Sequence, residues 1–318
     1  MTVELVIISG KGGTGKTSIA AALAHLARPV VLADCDVDAP DLHLLTRPRI
    51  RRREDFSGGS RARIEPADCL GCGECAEVCR FDAIRQTAGT GDGALTYEVD
   101  PFACEGCAAC VGVCPTGAVR FEPVINGARF VSETRFGPMV HARLHPGEEN
   151  SGKLVTAVRR EASELAEAEG FPLVLIDGSP GVGCPVIASL TSADFALIAA
   201  EPTLSGWHDA KRVLELADQL HVASALCVNR FDLNPSLADR IEAEARARRA
   251  VPLPRVREDE ALVEAQLRAR AVTELTDAGA AADLRRLWHE LKELLPAPRA
   301  GRANEHVQEA THDHHRSD

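Results

Sequence analysis

Residues Gly10 to Thr17 read Gly-Lys-Gly-Gly-Thr-Gly-Lys-Thr and follow directly on the mostly apolar run Val3 to Ile8. A short strand, Val3 to Ser9, therefore empties into a glycine-rich loop. Lys16 then opens a helix that keeps apolar positions at helical spacing as far as Leu26. That order suits a phosphate. Small residues let backbone N–H groups close around phosphate oxygens, and the helix N-terminus adds positive potential. Gly12, Gly13, Thr14, Gly15 and Ser18 are the expected cradle around Lys16 and Thr17. Lys16 would reach the β- and γ-phosphates of ATP, and Thr17 would hold Mg²⁺.

Two cysteine runs carry the second signal. Cys69, Cys72, Cys75 and Cys79 follow the spacing C-x2-C-x2-C-x3-C, and Cys104, Cys107, Cys110 and Cys114 repeat it, with Pro115 following. This is the two-cluster bacterial ferredoxin run, in which the fourth cysteine of each run serves the other cluster. One [4Fe–4S] cluster would take Cys69, Cys72, Cys75 and Cys114. The other would take Cys104, Cys107, Cys110 and Cys79. Soft thiolates suit such clusters. Two structural zinc sites could also use sets of four cysteines, although zinc ribbons space their pairs farther apart. A disulfide framework is disfavoured, because the rest of the chain reads as a cytosolic nucleotide-binding protein.

Further elements alternate along the chain. Strands are expected at Val30 to Ala33, Leu173 to Ile176, Ala196 to Ala199, Ala225 to Val228 and Val251 to Leu253. Helices are expected at Leu154–Glu169, Asp209–Leu220, Ser236–Arg249, Asp259–Leu267 and Ala281–Leu295. Such alternation argues for an α/β, doubly wound, mostly parallel sheet. The cysteine runs interrupt it as an inserted α+β unit. Each run has a similar tail, Phe81-Asp82-Ala83-Ile84 and Thr116-Gly117-Ala118-Val119, and the loop Thr87 to Gly93 joins the halves. The expected division is residues 1–63 and 123–296 for the nucleotide-binding domain and 64–122 for the insert, with Gly58, Gly59 and Ser60 as the joint. Residues 297–318 form a polar tail containing His306, His312, His314 and His315, expected to be disordered.

Ligands of parallel sheets bind beyond the carboxyl ends of the strands. Asp177 follows an apolar strand, the setting of a Walker-B aspartate that holds Mg²⁺. Asp36 is the candidate to orient the attacking water, with Asp34 behind it. Asp38 and Asp41 read equally well as turn or capping residues. The small-residue stretch Gly178 to Gly183 suits a loop that senses the γ-phosphate.

A formal net charge of −11 argues against a nucleic-acid surface. The basic stretch Arg47 to Arg53 reads as a solvated linker. The first residues already form a core strand, so no signal peptide is legible, and no apolar run is long enough to span a bilayer. Cytoplasmic residence is the expectation. The remaining cysteines, Cys35, Cys184 and Cys227, are expected to be small buried hydrophobes.

Lys11, ahead of Lys16 in Lys-Gly-Gly-Thr-Gly-Lys-Thr, makes this loop resemble the deviant Walker A of the MinD/ParA/Mrp group of P-loop NTPases (the SIMIBI type), which also includes the nitrogenase iron protein. Asp34 to Leu45 resembles its switch I, and Asp177 to Val186 its Walker B with switch II. With the inserted cysteine runs, the chain is similar to MinD-superfamily ATPases that contain an inserted ferredoxin domain. Gly147 to Val155 and Glu201-Pro202-Thr203 resemble the same branch.

The resemblance implies ATP hydrolysis that is slow without a partner, through an ATP-dependent homodimer or a heterodimer with a paralogue. Lys11 would reach the partner's ATP. It also implies adenine contacts at Asn229 and Pro254, where Arg255 departs from the usual pattern. The insert leaves the fold just after switch I, so dimer closure is expected to move or expose the clusters, for electron transfer or Fe–S or metal-cofactor assembly with a client protein. Two alternatives stay open. One is a MinD-like spatial regulator whose last helix (Leu284, Leu287, Trp288, Leu291, Leu295) lies on a membrane, although docking of that helix on the sheet explains the same pattern. The other is a ferredoxin with a vestigial ATP site.

Overall fold

Strand β1 (Val3–Ser9) is buried along its whole length. Its side chains alternate between two apolar environments, as the two-residue period of a strand requires. Val6 and Ile8 face one core, and Leu5 and Ile7 face the other. A strand apolar on both faces belongs in the middle of a sheet covered by helices on either side. The computed structural model shows that arrangement. It describes residues 2–88, 95–146 and 151–297.

The chain continues through α1 (Lys16–Ala27), β2 (Val31–Asp34), α2 (Leu42–Thr46) and β3 (Arg49–Phe56). It then enters a smaller unit of β4 (Gly59–Ile64), α3 (Glu74–Glu77), β5 (Ile84–Ala88), β6 (Leu95–Val99), α4 (Ala109–Val113) and β7 (Val119–Val124). It returns through β8 (Gly127–Thr134), β9 (Gly137–Leu144), α5 (Ser151–Glu169), β10 (Leu173–Asp177), α6 (Cys184–Leu190), β11 (Phe195–Ala200), α7 (Leu204–Gln219) and β12 (Ala223–Val228). It ends with α8 (Pro235–Ala247), β13 (Val251–Pro252), α9 (Glu260–Leu267) and α10 (Gly279–Leu294).

Among the described residues one sheet has nine strands in the order β13-β12-β11-β1-β10-β2-β9-β8-β3. From β13 to β9 the neighbours run parallel, and β8 is antiparallel to both its neighbours. Helices α5 to α8 cover one face and α1, α2, α9 and α10 the other.

Several expectations change here. Arg47 to Arg53 is not a solvated linker: from Arg49 onward it is edge strand β3, paired with β8. Its alternation is hidden because both faces carry arginines, which find carboxylate partners: Arg49 and Arg51 pair with Glu133, and Arg52 with Glu54 and Glu161. The hairpin β8–β9 and helices α2 and α6 were not foreseen. The insert does not leave directly after the Asp34–Leu45 stretch, since α2 completes that stretch, β3 then intervenes, and the chain crosses over at Ser57-Gly58. Strands β4 and β7 pair in one two-stranded sheet, and β5 and β6 in another. Their shared core is small: Ala62, Ile64, Cys75, Ile84, Cys110 and Val119 are its buried members. The apolar face of α10 is covered, with Leu284, Leu287 and Leu291 fully buried against the sheet side that carries α1. No described helix is long and apolar enough to cross a membrane. Residues 89–93 of the expected joining loop, Gly147 to Asn150, and the His-rich tail from residue 298 lie outside the described residues.

Candidate functional site

The carboxyl ends of β1, β2 and β10 bring the expected nucleotide residues together. Two glycines show why the loop after β1 has its sequence. A β-carbon on Gly10 would stand 2.3 Å from the Asp209 backbone carbon, because α7 crosses directly over it. Gly15, at φ 86°, would place one 2.4 Å from Asn229 Nδ2. The left-handed conformation at Gly15 turns the chain into α1 with no side-chain cap on the helix. The first-turn N–H groups of α1 thus lack an intrahelical or side-chain acceptor, which is what an anion site needs.

Lys16 is buried at 6% exposure. Its Nζ lies 2.6 Å from Asp177 Oδ1 and 3.7 Å from Asp36 Oδ2. Burial by itself would lower its pKa, but Asp177, Asp36 and Asp34 outweigh that and hold it above the ordinary lysine value. Asp34 is fully buried and accepts the Asp36 and Leu42 N–H groups, both at 3.2 Å. Burial, with the charge of Asp177, pushes its carboxyl well up. Burial likewise pushes Asp36 up to about 6, against the pull of Lys16. One cation therefore faces three carboxylates. Asp177 Oδ2 and Asn229 Oδ1 are buried with no hydrogen-bond partner. A buried acceptor without a partner is costly. A divalent cation beside Asp177 and a purine amino group beside Asn229 are ligands of the chemistry these atoms fit.

The loop after β10 is tied to this centre by the Gly181 N–H on Ser9 O at 2.9 Å and the Ser179 hydroxyl on Cys35 O at 2.5 Å. Thr17 and Ser18 lie on the first turn of α1, and Gln266 Nε2 donates to Ser18 Oγ. Gly12 and Gly13 are exposed at the loop tip. Asn229 Nδ2 donates to Thr14 O at 2.8 Å, which places Asn229 against the loop. Pro254 offers its carbonyl to the Cys227 thiol at 3.5 Å. Arg255 is held by Glu242 and Asp239.

Lys11 is engaged within its own chain. Its Nζ lies 2.9 Å from Glu201 Oε2, and Arg230 takes the other oxygen at 2.6 Å. No role for Glu201 was read from the sequence, although it follows a strand just as Asp36 and Asp177 do. The strand-end rule that found those two would have found it. Asp38 and Asp41 are exposed. Cys35 and Cys227 are buried as expected, but Cys184 is exposed. It is the first residue of α6, directly after the Gly178–Gly183 loop, and that position faces outward.

The cysteine runs form two cavities in the insert. One is lined by Cys69, Cys72, Cys75 and Cys114, and the other by Cys79, Cys104, Cys107 and Cys110. Each takes three thiols from one run and the fourth from the other. The crossing follows from the pairing of β4 with β7, which lays the end of the second run beside the start of the first. Burial raises the Cys75 and Cys110 thiols. At Cys114 burial acts the same way, but backbone N–H groups of Val119, Thr116 and Ala118 and the Thr116 hydroxyl bring the thiol below its usual value. Four soft donors around each cavity fit an iron–sulfur cluster. Among the described residues, no three His, Cys, Asp or Glu side chains are placed to hold a single metal ion.

Comparison with known proteins agrees with the large sheet. The family described as CobQ/CobB/MinD/ParA nucleotide binding domain matches residues 5–272. Uncharacterized protein MJ0578 of Methanocaldococcus jannaschii is 35% identical over 236 residues, 73% of this chain and 79% of that protein. Uncharacterized protein MJ0579 of the same organism is 27% identical over 239 residues, 73% of this chain and 82% of that protein. Among solved structures, the cell division ATPase MinD of Pyrococcus furiosus has a TM-score of 0.54 at 18% identity, covering 92% of this chain and 100% of its own. The septum site-determining protein MinD of Pyrococcus horikoshii OT3, complexed with Mg-ADP, has a TM-score of 0.55 at 17% identity, covering 92% and 97%. At such identities the structural likeness speaks to the fold.

Proposed function

The chain belongs to the CobQ/CobB/MinD/ParA nucleotide-binding family and is an ATPase of that group, and on that premise we propose that its ATP cycle is coupled to two [4Fe–4S] clusters carried by the insert. The observation that carries this reading is the crossed pairing of the cysteine runs in the same chain as the Lys16–Asp177 centre.

In the nucleotide site the chain's own groups would act as follows. Amides of Gly12 to Ser18 take the phosphate oxygens. Lys16 exchanges Asp177 for the β- and γ-phosphates, and that exchange frees Asp177 to hold Mg²⁺ together with Thr17. Asp36 orients the attacking water, and Asn229 and Pro254 flank the adenine. Lys11 leaves Glu201 when a second protomer closes on the first, so the Glu201 pair belongs to the open state. In the insert, Cys69, Cys72, Cys75 and Cys114 would hold one cluster and Cys104, Cys107, Cys110 and Cys79 the other. Such clusters supply one-electron transfer. The client is a redox protein or one awaiting a metal cofactor.

The test is anaerobic purification with iron and sulfide analysis beside an ATPase assay and pull-down of bound partners. Brown protein that contains both elements and loses hydrolysis on Lys16→Ala is the expected result. Colourless, iron-free protein that hydrolyses ATP normally overturns the reading.

A further inference from the structure

The two connections between the insert and the large sheet meet at one residue. Gly58 donates its N–H to Asn126 Oδ1 at 2.9 Å. Asn126 in turn donates its own N–H to Phe56 O, and its carbonyl accepts from His145 N, each at 2.8 Å. The outgoing and returning strands are thus pinned together. The remaining polar atom of Gly58, its carbonyl, accepts from Lys153 Nζ at 2.7 Å. Lys153 stands in the first turn of α5, far from this joint in sequence.

Helix α5 also grips α6 at both ends. At the near end, a β-carbon placed on Gly152 would stand 3.3 Å from the Cys184 β-carbon, so the two helix starts are in close contact. At the far end, Arg159 is 7% exposed and donates to the carbonyls of Ala188 at 2.6 Å and Thr191 at 2.7 Å. Those are terminal carbonyls that a helix cannot satisfy internally. Arg159 is fixed from behind by Glu4 on β1. Helix α6 directly follows the loop Gly178–Gly183, whose hydrogen bonds to Ser9 and Cys35 tie it to the phosphate-binding centre.

We infer that Lys153 is a positioning residue that conveys movement of the Gly178–Gly183 loop to the insert, along the path α6, α5, Lys153 and Gly58. The path runs through the loop after β10 rather than through the Asp34–Leu45 stretch, from which β3 separates the insert. This rests on the ATP-binding half of the proposed function and is independent of whether the cysteines hold clusters. The physical requirement is that the loop have two arrangements, with and without the γ-phosphate, and that packed contacts carry the difference. A buried arginine on helix-end carbonyls and a glycine in close contact let α5 move with α6 as one body. An ammonium on a single carbonyl transmits that shift to a joint whose other polar group is already held.

The test is amide hydrogen exchange on the full chain, with and without Mg²⁺ and a non-hydrolysable ATP analogue. In the wild-type chain the analogue is expected to slow exchange in the Gly10–Ser18 peptide and to change it several-fold in the peptide spanning Ser57–Ser60. Lys153→Met keeps the side-chain stem and removes the donor. It should leave the first response intact and cut the second by about fivefold, the loss of one hydrogen bond from a solvent-exposed side chain. Lys153→Arg should restore it. A joint response unchanged in Lys153→Met overturns the inference. So does a wild-type joint that ignores the analogue while Gly10–Ser18 is protected. Absence of protection at Gly10–Ser18 in the wild-type chain is a separate signature, which overturns the ATP-binding reading and this inference with it. In iron-loaded protein, the analogue-dependent shift in midpoint potential should vanish in Lys153→Met and persist in Lys153→Arg.

Discussion

The proposed cross-ligation of the cysteine runs would fix the iron content of each cysteine variant. A fully loaded insert would carry about eight iron atoms, about four in each [4Fe–4S] cluster. Cys114 shares a cavity with Cys69, although its run begins with Cys104. Cys114→Ser alone should lower iron to about four, since removing one thiolate forfeits one cluster. Adding Cys69→Ser strikes the same cavity, and iron should stay near four. Adding Cys104→Ser instead strikes the other cavity, and iron should fall to about zero. If each run held its own cluster, the two double variants would exchange results. This is a double-mutant cycle with iron as the readout, and its non-additivity reports shared membership of one site. The assay is iron and acid-labile sulfide per chain after anaerobic reconstitution, with electron paramagnetic resonance of the reduced protein to count the spin systems. Near-zero iron in Cys114→Ser/Cys69→Ser, with about four in Cys114→Ser/Cys104→Ser, refutes the assignment. The double variant that loses both clusters should also expose the insert to protease first, because its buried apolar core has few members.

Three further outcomes follow from the large sheet. Lys16→Ala should abolish ATP binding and destabilise the nucleotide-free chain by about 3 kcal/mol at neutral pH, because buried carboxylates lose the cation paired with them; the loss should shrink toward pH 5 as Asp36 takes up a proton, and urea melts that show no loss at pH 7 would contradict this. His141 is half-buried against Ser132 and stacked on Phe130, and burial first, with His43 and Arg143 nearby, lowers its pKa to about 4. Its folded value lies below its unfolded value, so the stability it contributes is present above about pH 6.5 and is lost as pH falls through 4, by about 3 kcal/mol; His141→Gln should flatten that part of the stability profile, and an unchanged acid limb would count against it. Gly10→Ala should cost at least about 2 kcal/mol, since the added carbon meets the α7 backbone at 2.3 Å rather than a side chain that could turn away; thermal melting that matches the wild type would show that α7 yields.

The sequence alone determined the features that depend on neighbours along the chain. Strand β1 emptying into Gly10–Thr17, the helix at Lys16 and the two cysteine runs are local patterns, because phosphate and cluster binding both demand fixed residue types at short, fixed spacings. Long apolar strands such as Leu173–Asp177 were legible for the same reason. Strand β3 was not, since a strand with charged residues on both faces has no hydrophobic period and is recognised only by its partner β8 and by the carboxylates of Glu133 and Glu161. The outward position of Cys184 was also hidden, because a cysteine's preference for burial says nothing about which way a particular helix start faces. Only the tertiary structure decided that Lys11 and Arg230 share Glu201, that Lys16 stands among three carboxylates, and that Lys153 reaches Gly58. Those contacts join residues far apart in the chain, and pairings at such separations are set by how the sheet orders its strands rather than by any spacing a single segment can encode.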